Sequence, residues 1–197
     1  TVLSDKNVRL ALSHATNKEA LLESVLEGRG IAVHSPMIGG VLDIPDNIKK
    51  YEYDPGLAKT ILKTAGWIPD ENGILSKEGQ KLNLKITTST WSELTKVVNT
   101  IKEQWEAIGA RVDIEVLPKS ELQQAIKDRN YEALLFGAVL NTDPDPFSLW
   151  HSTQKREPGL NLALYDNKAA DTILEEARQT LNPLERTKKY DDFQKLV

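Results

Sequence analysis

Three strand-like stretches separated by two helix-length segments constrain this chain more than any other feature. Leu82, Leu84 and Ile86 alternate with Asn83, Lys85 and Thr87, and Val112, Ile114 and Val116 alternate with Asp113 and Glu115. Alternation with period two sends one face of each stretch into a core and leaves the other face polar. Ala133 to Val139, interrupted only by Gly137, is apolar on both faces, which predicts a central strand covered on both sides. In the first interval, Ser92 is placed to cap a helix whose inner face is Leu94, Val97 or Val98, Ile101, Trp105 and Ile108, stopped by Gly109. In the second, Ser120 with Gln123 has the form of a capping box, opening a helix with Leu122, Ala125 and Ile126. The order β-α-β-α-β predicts parallel pairing through right-handed crossovers, and so an α/β fold.

The flanks are helical. Val8, Ala11, Leu12 and Ala15 fall at helical spacing, and Thr16-Asn17-Lys18-Glu19 then resembles a capping box before Leu21, Leu22, Val25 and Leu26, with Gly28 ending the helix. Residues 29–50 lack periodicity and contain Pro36, Gly39, Gly40 and Pro45, which reads as one long irregular segment. Asp54-Pro55 starts a helix with a carboxylate cap and a proline at its first position; Ala58, Ile61, Leu62 and Ala65 form its buried stripe, and Gly66 ends it. Asn72-Gly73 signals a turn. Two more helices close the sequence, one on Ala170, Ile173, Leu174 and Ala177, the other opening at Asn182-Pro183 and carrying Leu184, Thr187, Tyr190, Phe193 and Val197. The last has no stop signal, so the expectation is a piece of a longer chain.

Composition bears mainly on what the protein does not do. With 197 residues, 40% of them hydrophobic and 27% charged, there is enough apolar material for a core. The absence of cysteine removes disulfides, thiolate metal sites and cysteine nucleophiles. A net charge of −4 without a basic run argues against nucleic-acid binding. The longest apolar stretch, Ala133 to Leu140, is far shorter than the ~20 residues a membrane helix requires. Thr1 to Asp5 does not read as a secretory signal, so either the protein is cytosolic or the chain is trimmed.

In open α/β sheets ligands bind beyond the carboxyl ends of the strands. Three loops qualify: Thr88 to Trp91, Leu117 to Ser120, and the stretch from Leu140 onward. The third gathers Asn141, Asp143, Asp145, Phe147, Trp150 and His151 beside two prolines that hold the backbone extended. Each residue also has a plain structural reading. Asp-Pro-Asp-Pro can be a capped turn, Phe147 and Trp150 can seal a core edge, Trp105 reads as core, and Asn161 can satisfy nearby backbone groups. Trp91, in a strand-end loop, fits either role. His14, His34 and His151 have no metal-ligand spacing, and no phosphate cradle or nucleophile elbow is present, so neither enzyme chemistry nor a cofactor is expected. An acid/base pair from Asp143 and Asp145 is the remaining catalytic arrangement.

Several segments carry a family pattern. Val8-Arg9-Leu10-Ala11-Leu12 through Ala15 to Glu19 resembles the "V-R-x-A-L-x-x-A-x-D-R/K-E" segment of the peptide/nickel-type extracellular solute-binding proteins, receptors of ABC importers. Tyr53-Asp54-Pro55, Ala58-Lys59, Leu62 and Ala65-Gly66-Trp67 are similar to "Y-D-P-x-x-A-K-x-L-L-x-x-A-G-Y/W", and Ile101 to Gly109 resembles the helix that follows. Asp143-Pro144-Asp145 with Phe147, then Trp150-His151-Ser152, resembles the cleft loop "D-P-D-x-F/Y". Asn161, Tyr165-Asp166-Asn167 and Asp171 to Arg178 resemble "N-x-x-x-Y-x-N-x-x-x-D-x-L-L-x-x-A-R", and Glu185-Arg186 with Tyr190 and Gln194 the closing helix.

The resemblance implies a type II periplasmic-binding-protein-like lobe, with residues 1–197 forming a single α/β lobe, the second large lobe of a two-lobe receptor. It implies a non-enzymatic, monomeric receptor, periplasmic or anchored at the cell surface, that hands peptides or other small solutes to ABC permease subunits. The residues it points to for ligand contact are Trp91, Asn141, Asp143, Asp145, Phe147, Trp150, His151 and Asn161. In the family's peptide receptors an Asp four residues before the loop proline meets the ligand's α-amino group; Leu140 stands there in this chain, with Asn141 beside it. The arginine that dipeptide receptors use for the α-carboxylate has no counterpart between Thr87 and Glu93. Asp143 and Asp145 are then the carboxylates in reach of the amine role. An oligosaccharide or other nutrient as ligand, a ligand-sensing domain of a transcription regulator, and a small hydrolase built on Asp143 and Asp145 are the alternatives.

Overall fold

The computed structural model describes residues 1–37, 45, 47–139 and 145–197. They group into two compact units, the first built from residues 1–32, 51–125 and 130–137, the second from 33–50, 126–129 and 138–197.

In the first unit, α1 (Lys6–Ala15) starts where Asp5 accepts the Asn7 N–H, and α2 (Lys18–Leu26) where Asn17 accepts the Ala20 N–H. Asp54 caps α3 (Pro55–Thr64) through the Leu57 N–H, with Pro55 in the first turn where no N–H is needed. A small antiparallel sheet that the apolar pattern does not announce then follows: β1 (Ile68–Pro69), β2 (Leu75–Lys77) and β3 (Gln80–Lys81), with Asn72-Gly73 in the first turn. Its residues are mostly polar and partly exposed, so hydrophobic alternation has nothing to report there.

The main sheet is parallel and runs in the order β5-β4-β6: β4 (Asn83–Ser89) lies between β5 (Arg111–Leu117) and β6 (Ala133–Leu134). Asn83 to Ser89 pairs in step with Arg111 to Leu117, and Ile86 and Thr87 pair with Ala133 and Leu134. Crossovers α4 (Ser92–Glu106) and α5 (Lys119–Asp128) complete the expected β-α-β-α-β order. Three expected caps differ: α2 is capped by Asn17 and not by Thr16, whose hydroxyl turns back to the Leu12 carbonyl; α4 has no side-chain cap, Ser92 turning instead to Glu93; and α5 begins at Lys119, ahead of Ser120.

The larger correction concerns the third strand. The predicted seven-residue run forms only the two-residue β6, and the described residues do not cover it on both sides, because Ala133, Leu134 and Leu135 are half-buried and Phe136 is 48% exposed. β6 is an edge strand next to β4, which is the strand buried between two neighbours. The core of this unit joins Val8, Leu12, Leu62, Trp67, Leu84, Val98, Ile108 and Val112, with Trp105 packed against it as expected.

The second unit contains α6 (Phe147–Trp150), α7 (Lys168–Gln179) and α8 (Pro183–Leu196). Asn167 and Asn182 cap the two long helices, and Met37, Ala170, Leu174, Ala177, Tyr190 and Phe193 form the core. Arg129 acts as a three-way latch, donating to the carbonyls of Ile126 at 2.5 Å, Lys155 at 3.1 Å and Gly159 at 2.6 Å.

Candidate functional site

At the carboxyl ends of the first unit's strands, apolar side chains that are buried further back become open to solvent. Along β5, Val112 is fully buried, Ile114 half-buried and Val116 42% exposed. Beyond β4, Trp91 is 59% exposed, and beyond β6 lies Phe136. Trp91 is held by its backbone, its N–H donating to Ser89 Oγ at 3.2 Å and its carbonyl accepting from Thr95. Its ring lies close to Gly137, where an added Cβ would meet it at 3.5 Å. Exposed aromatic faces on a fixed backbone suit stacking and apolar contact with a ligand.

The opposite end of the strands carries a cavity. A cavity of about 490 Å³, lined by Trp67, Ile68, Leu75, Ile108 and Gly109 among others, lies next to the residues leading into β5, at the amino end of the strands. The Trp67 Nε1–H is buried without a hydrogen-bond partner among the described residues.

Within the second unit the expected site residues are tied to one another. Asp145 accepts the Phe147 N–H at 3.0 Å through Oδ1 and pairs with Arg178 through Oδ2 at 2.6 Å. The Arg178 guanidinium carbon lies 3.7 Å from the Phe147 ring centre, and the His151 ring stacks on Phe147 at 4.1 Å and 18°. His151 is buried, with Thr153 Oγ1 2.8 Å from Nδ1 and Glu175 Oε1 3.2 Å from Nε2. Trp150 packs edge-on to Tyr165 and Phe193 and is half-buried against the core.

Asn161 is completely buried. Its Nδ2 group donates to the carbonyls of Trp150, His151 and Tyr165, and its Oδ1 accepts the Tyr165 N–H. Its polar atoms are therefore all engaged within the unit, the plain reading allowed above. Asn141 and Asp143 lie outside the described residues. The residues left without a role in the sequence are Asp171, Glu175 and Arg178: Asp171 and Arg178 fall on named positions of the family pattern and Glu175 on an open one, and charged residues on a helix ordinarily read as a solvated face. Among the described residues no cluster of His, Asp or Glu is arranged to hold a metal ion, and no helix is long and apolar enough to cross a membrane.

Comparison with known proteins gives this geometry a context. Residues 1–159 match the bacterial extracellular solute-binding proteins, family 5, middle region. The oligopeptide-binding protein AppA of Bacillus subtilis is 30% identical over 204 aligned residues, covering 100% of this chain and 37% of AppA. The structure of AppA in complex with a nonapeptide superimposes with a TM-score of 0.92 at 28% identity, over 98% of this chain and 39% of that one. NikZ of Campylobacter jejuni, in complex with Ni(L-His), gives a TM-score of 0.86 at 26% identity, over 98% of this chain and 39% of NikZ. Heme-binding protein A of Haemophilus influenzae is 28% identical, over 96% of this chain and 34% of its own length. The chain belongs to the family 5 extracellular solute-binding proteins, a non-enzymatic class, and spans a little over a third of the length of AppA.

Proposed function

We propose that this chain is part of the substrate-binding component of an ABC importer, and that the whole receptor binds peptides and presents them to its permease. The observation that carries the reading is the open apolar rim of Val116, Trp91 and Phe136 at the strand ends, in a fold that superimposes on an oligopeptide-binding protein solved with a nonapeptide. A peptide suits such a rim because its backbone can be met by hydrogen bonds while its varied side chains meet apolar and aromatic surface without a fixed shape. Ligand binding would act by population shift, the bound form favouring a closed receptor that docks on the permease as a monomer. The residues proposed for ligand contact are taken unit by unit: Trp91 in the first, and in the second the segment that the family pattern identifies as the cleft loop, shaped by Asp145, Phe147, Trp150, His151 and Asn161. In the parent protein this would operate outside the cytoplasm.

The NikZ complex with Ni(L-His) supports a second reading, in which the cargo is a small metal chelate. Native mass spectrometry of the full-length receptor, purified without denaturation, separates the two. A ladder of co-purifying peptide masses supports the peptide reading; a single nickel complex, a heme or a sugar overturns it.

A further inference from the structure

Helix α7 presents two adjoining stripes. Ala170, Leu174 and Ala177 are buried in the core, and Asp171, Glu175 and Arg178, at i, i+4 and i+7, lie side by side and grip residues 145–152. At one end of that segment Asp171 accepts both the N–H and the O–H of Ser152, at 2.9 and 2.6 Å. In the middle Glu175 meets His151. At the other end Arg178 donates to Asp145 Oδ2 from Nε at 2.8 Å and Nη2 at 2.6 Å, and its guanidinium carbon lies over the Phe147 ring. His151 also lies about one ring thickness from Phe147, so the two must take opposite faces of that ring, giving a stack of guanidinium, phenyl and imidazole.

The stack determines what Asp145 can do. One oxygen accepts a backbone N–H two residues on, the other a guanidinium, so both oxygens are held and the charge is already matched. We infer that Arg178 is a positioning residue, fixing Asp145 and Phe147 at the start of the segment, and that Asp145 is therefore a structural carboxylate and not the group that receives a ligand's amine. This rests on the peptide-receptor reading, because only there does an amine anchor matter.

The test uses the full-length receptor with Arg178→Ala, Arg178→Lys and the near-isosteric Asp145→Asn. Two probes are offered, a tryptic digest of casein and the same digest acetylated at its amino groups, and amide hydrogen exchange is followed without ligand. The expected result is faster exchange at residues 147–151 in Arg178→Ala, unchanged exchange at Leu174 and Ala177, and capture of both digests weakened by a similar factor, about tenfold, in Arg178→Ala and Asp145→Asn. Arg178→Lys, which keeps the charge and loses the planar stack, restores part of the loss. Unchanged exchange in Arg178→Ala overturns the positioning role. A loss in Asp145→Asn confined to the unacetylated digest overturns the structural assignment of Asp145. If the unsubstituted receptor captures neither digest, the peptide reading fails, and the exchange measurement still decides the role of Arg178.

Discussion

Asn161 and Tyr165 are bonded to each other twice: the Tyr165 N–H donates to Asn161 Oδ1 at 3.0 Å, and Asn161 Nδ2 donates back to the Tyr165 carbonyl at 2.9 Å. The same amide holds the carbonyls of Trp150 and His151, so one buried side chain closes the turn and fastens it to the end of α6. Asn161→Ala leaves these backbone groups without a partner and should lower the unfolding free energy by about 2–4 kcal/mol in urea titration. Asn161→Asp should be at least as damaging at neutral pH, because it sets oxygen against three carbonyls. A variant with parental stability would mean that the turn is held by other groups.

Glu115 supplies a pH dependence of known sign. Hydrogen bonds from Lys85, at 2.9 Å, and then from Thr87, at 2.8 Å, favour its carboxylate and lower its pKa from the usual 4.5. The folded value lies below the unfolded one, so the contribution is complete above about pH 4.5 and is lost as pH falls through the folded value. Glu115→Gln should therefore be less stable than the parent near neutrality, with the difference closing in acid. Chemical denaturation at a series of pH values measures the gap, and a gap that widens in acid contradicts the assignment.

Gly109 stands at a φ of +96° between α4 and β5, where an added Cβ would come within 2.7 Å of Leu75 Cγ. Both the backbone conformation and the space exclude a side chain. Gly109→Ala should cost about 1–3 kcal/mol, read as a lowered melting temperature, and a second change of Leu75→Ala should recover the steric part and leave the conformational part.

Trp91 separates binding from folding. With 59% of its surface exposed, Trp91→Ala should change stability by less than about 0.5 kcal/mol. The proposal assigns it to the ligand, so the same variant in the full-length receptor should capture peptides several-fold more weakly by equilibrium binding. Loss of stability without loss of capture would place Trp91 in the scaffold instead.

How far the chain could be read in advance followed physical lines. Asp54-Pro55 and Asn182-Pro183 cap helices as their chemistry dictates, because a cap is a local interaction, whereas at α2 the cap is Asn17, one residue past the Thr16 of the expected capping box. The alternation of β4 and β5 was equally plain, since each has one face in the core. The run at Ala133 to Val139 misled, because an apolar stretch looks the same whether a neighbour covers it or it is left open, as at Phe136. In the candidate site, Trp91 stood out by its position after a strand. The roles of Asp171, Glu175 and Arg178 were hidden because their partners lie 19 to 33 residues away along the chain. Helical spacing groups such residues on a face but does not say what the face meets.

The two stripes of α7 also limit how this stretch can change in length. A residue inserted or deleted within a helix rotates everything beyond it by about 100°. At α7 that single slip would turn Leu174 and Ala177 out of the core and carry Arg178 away from Asp145 in the same step. Substitutions can test these two roles separately, but a change of reading frame within the helix cannot, so length variation among functional relatives should fall in the connections on either side of residues 168–179 and not within them.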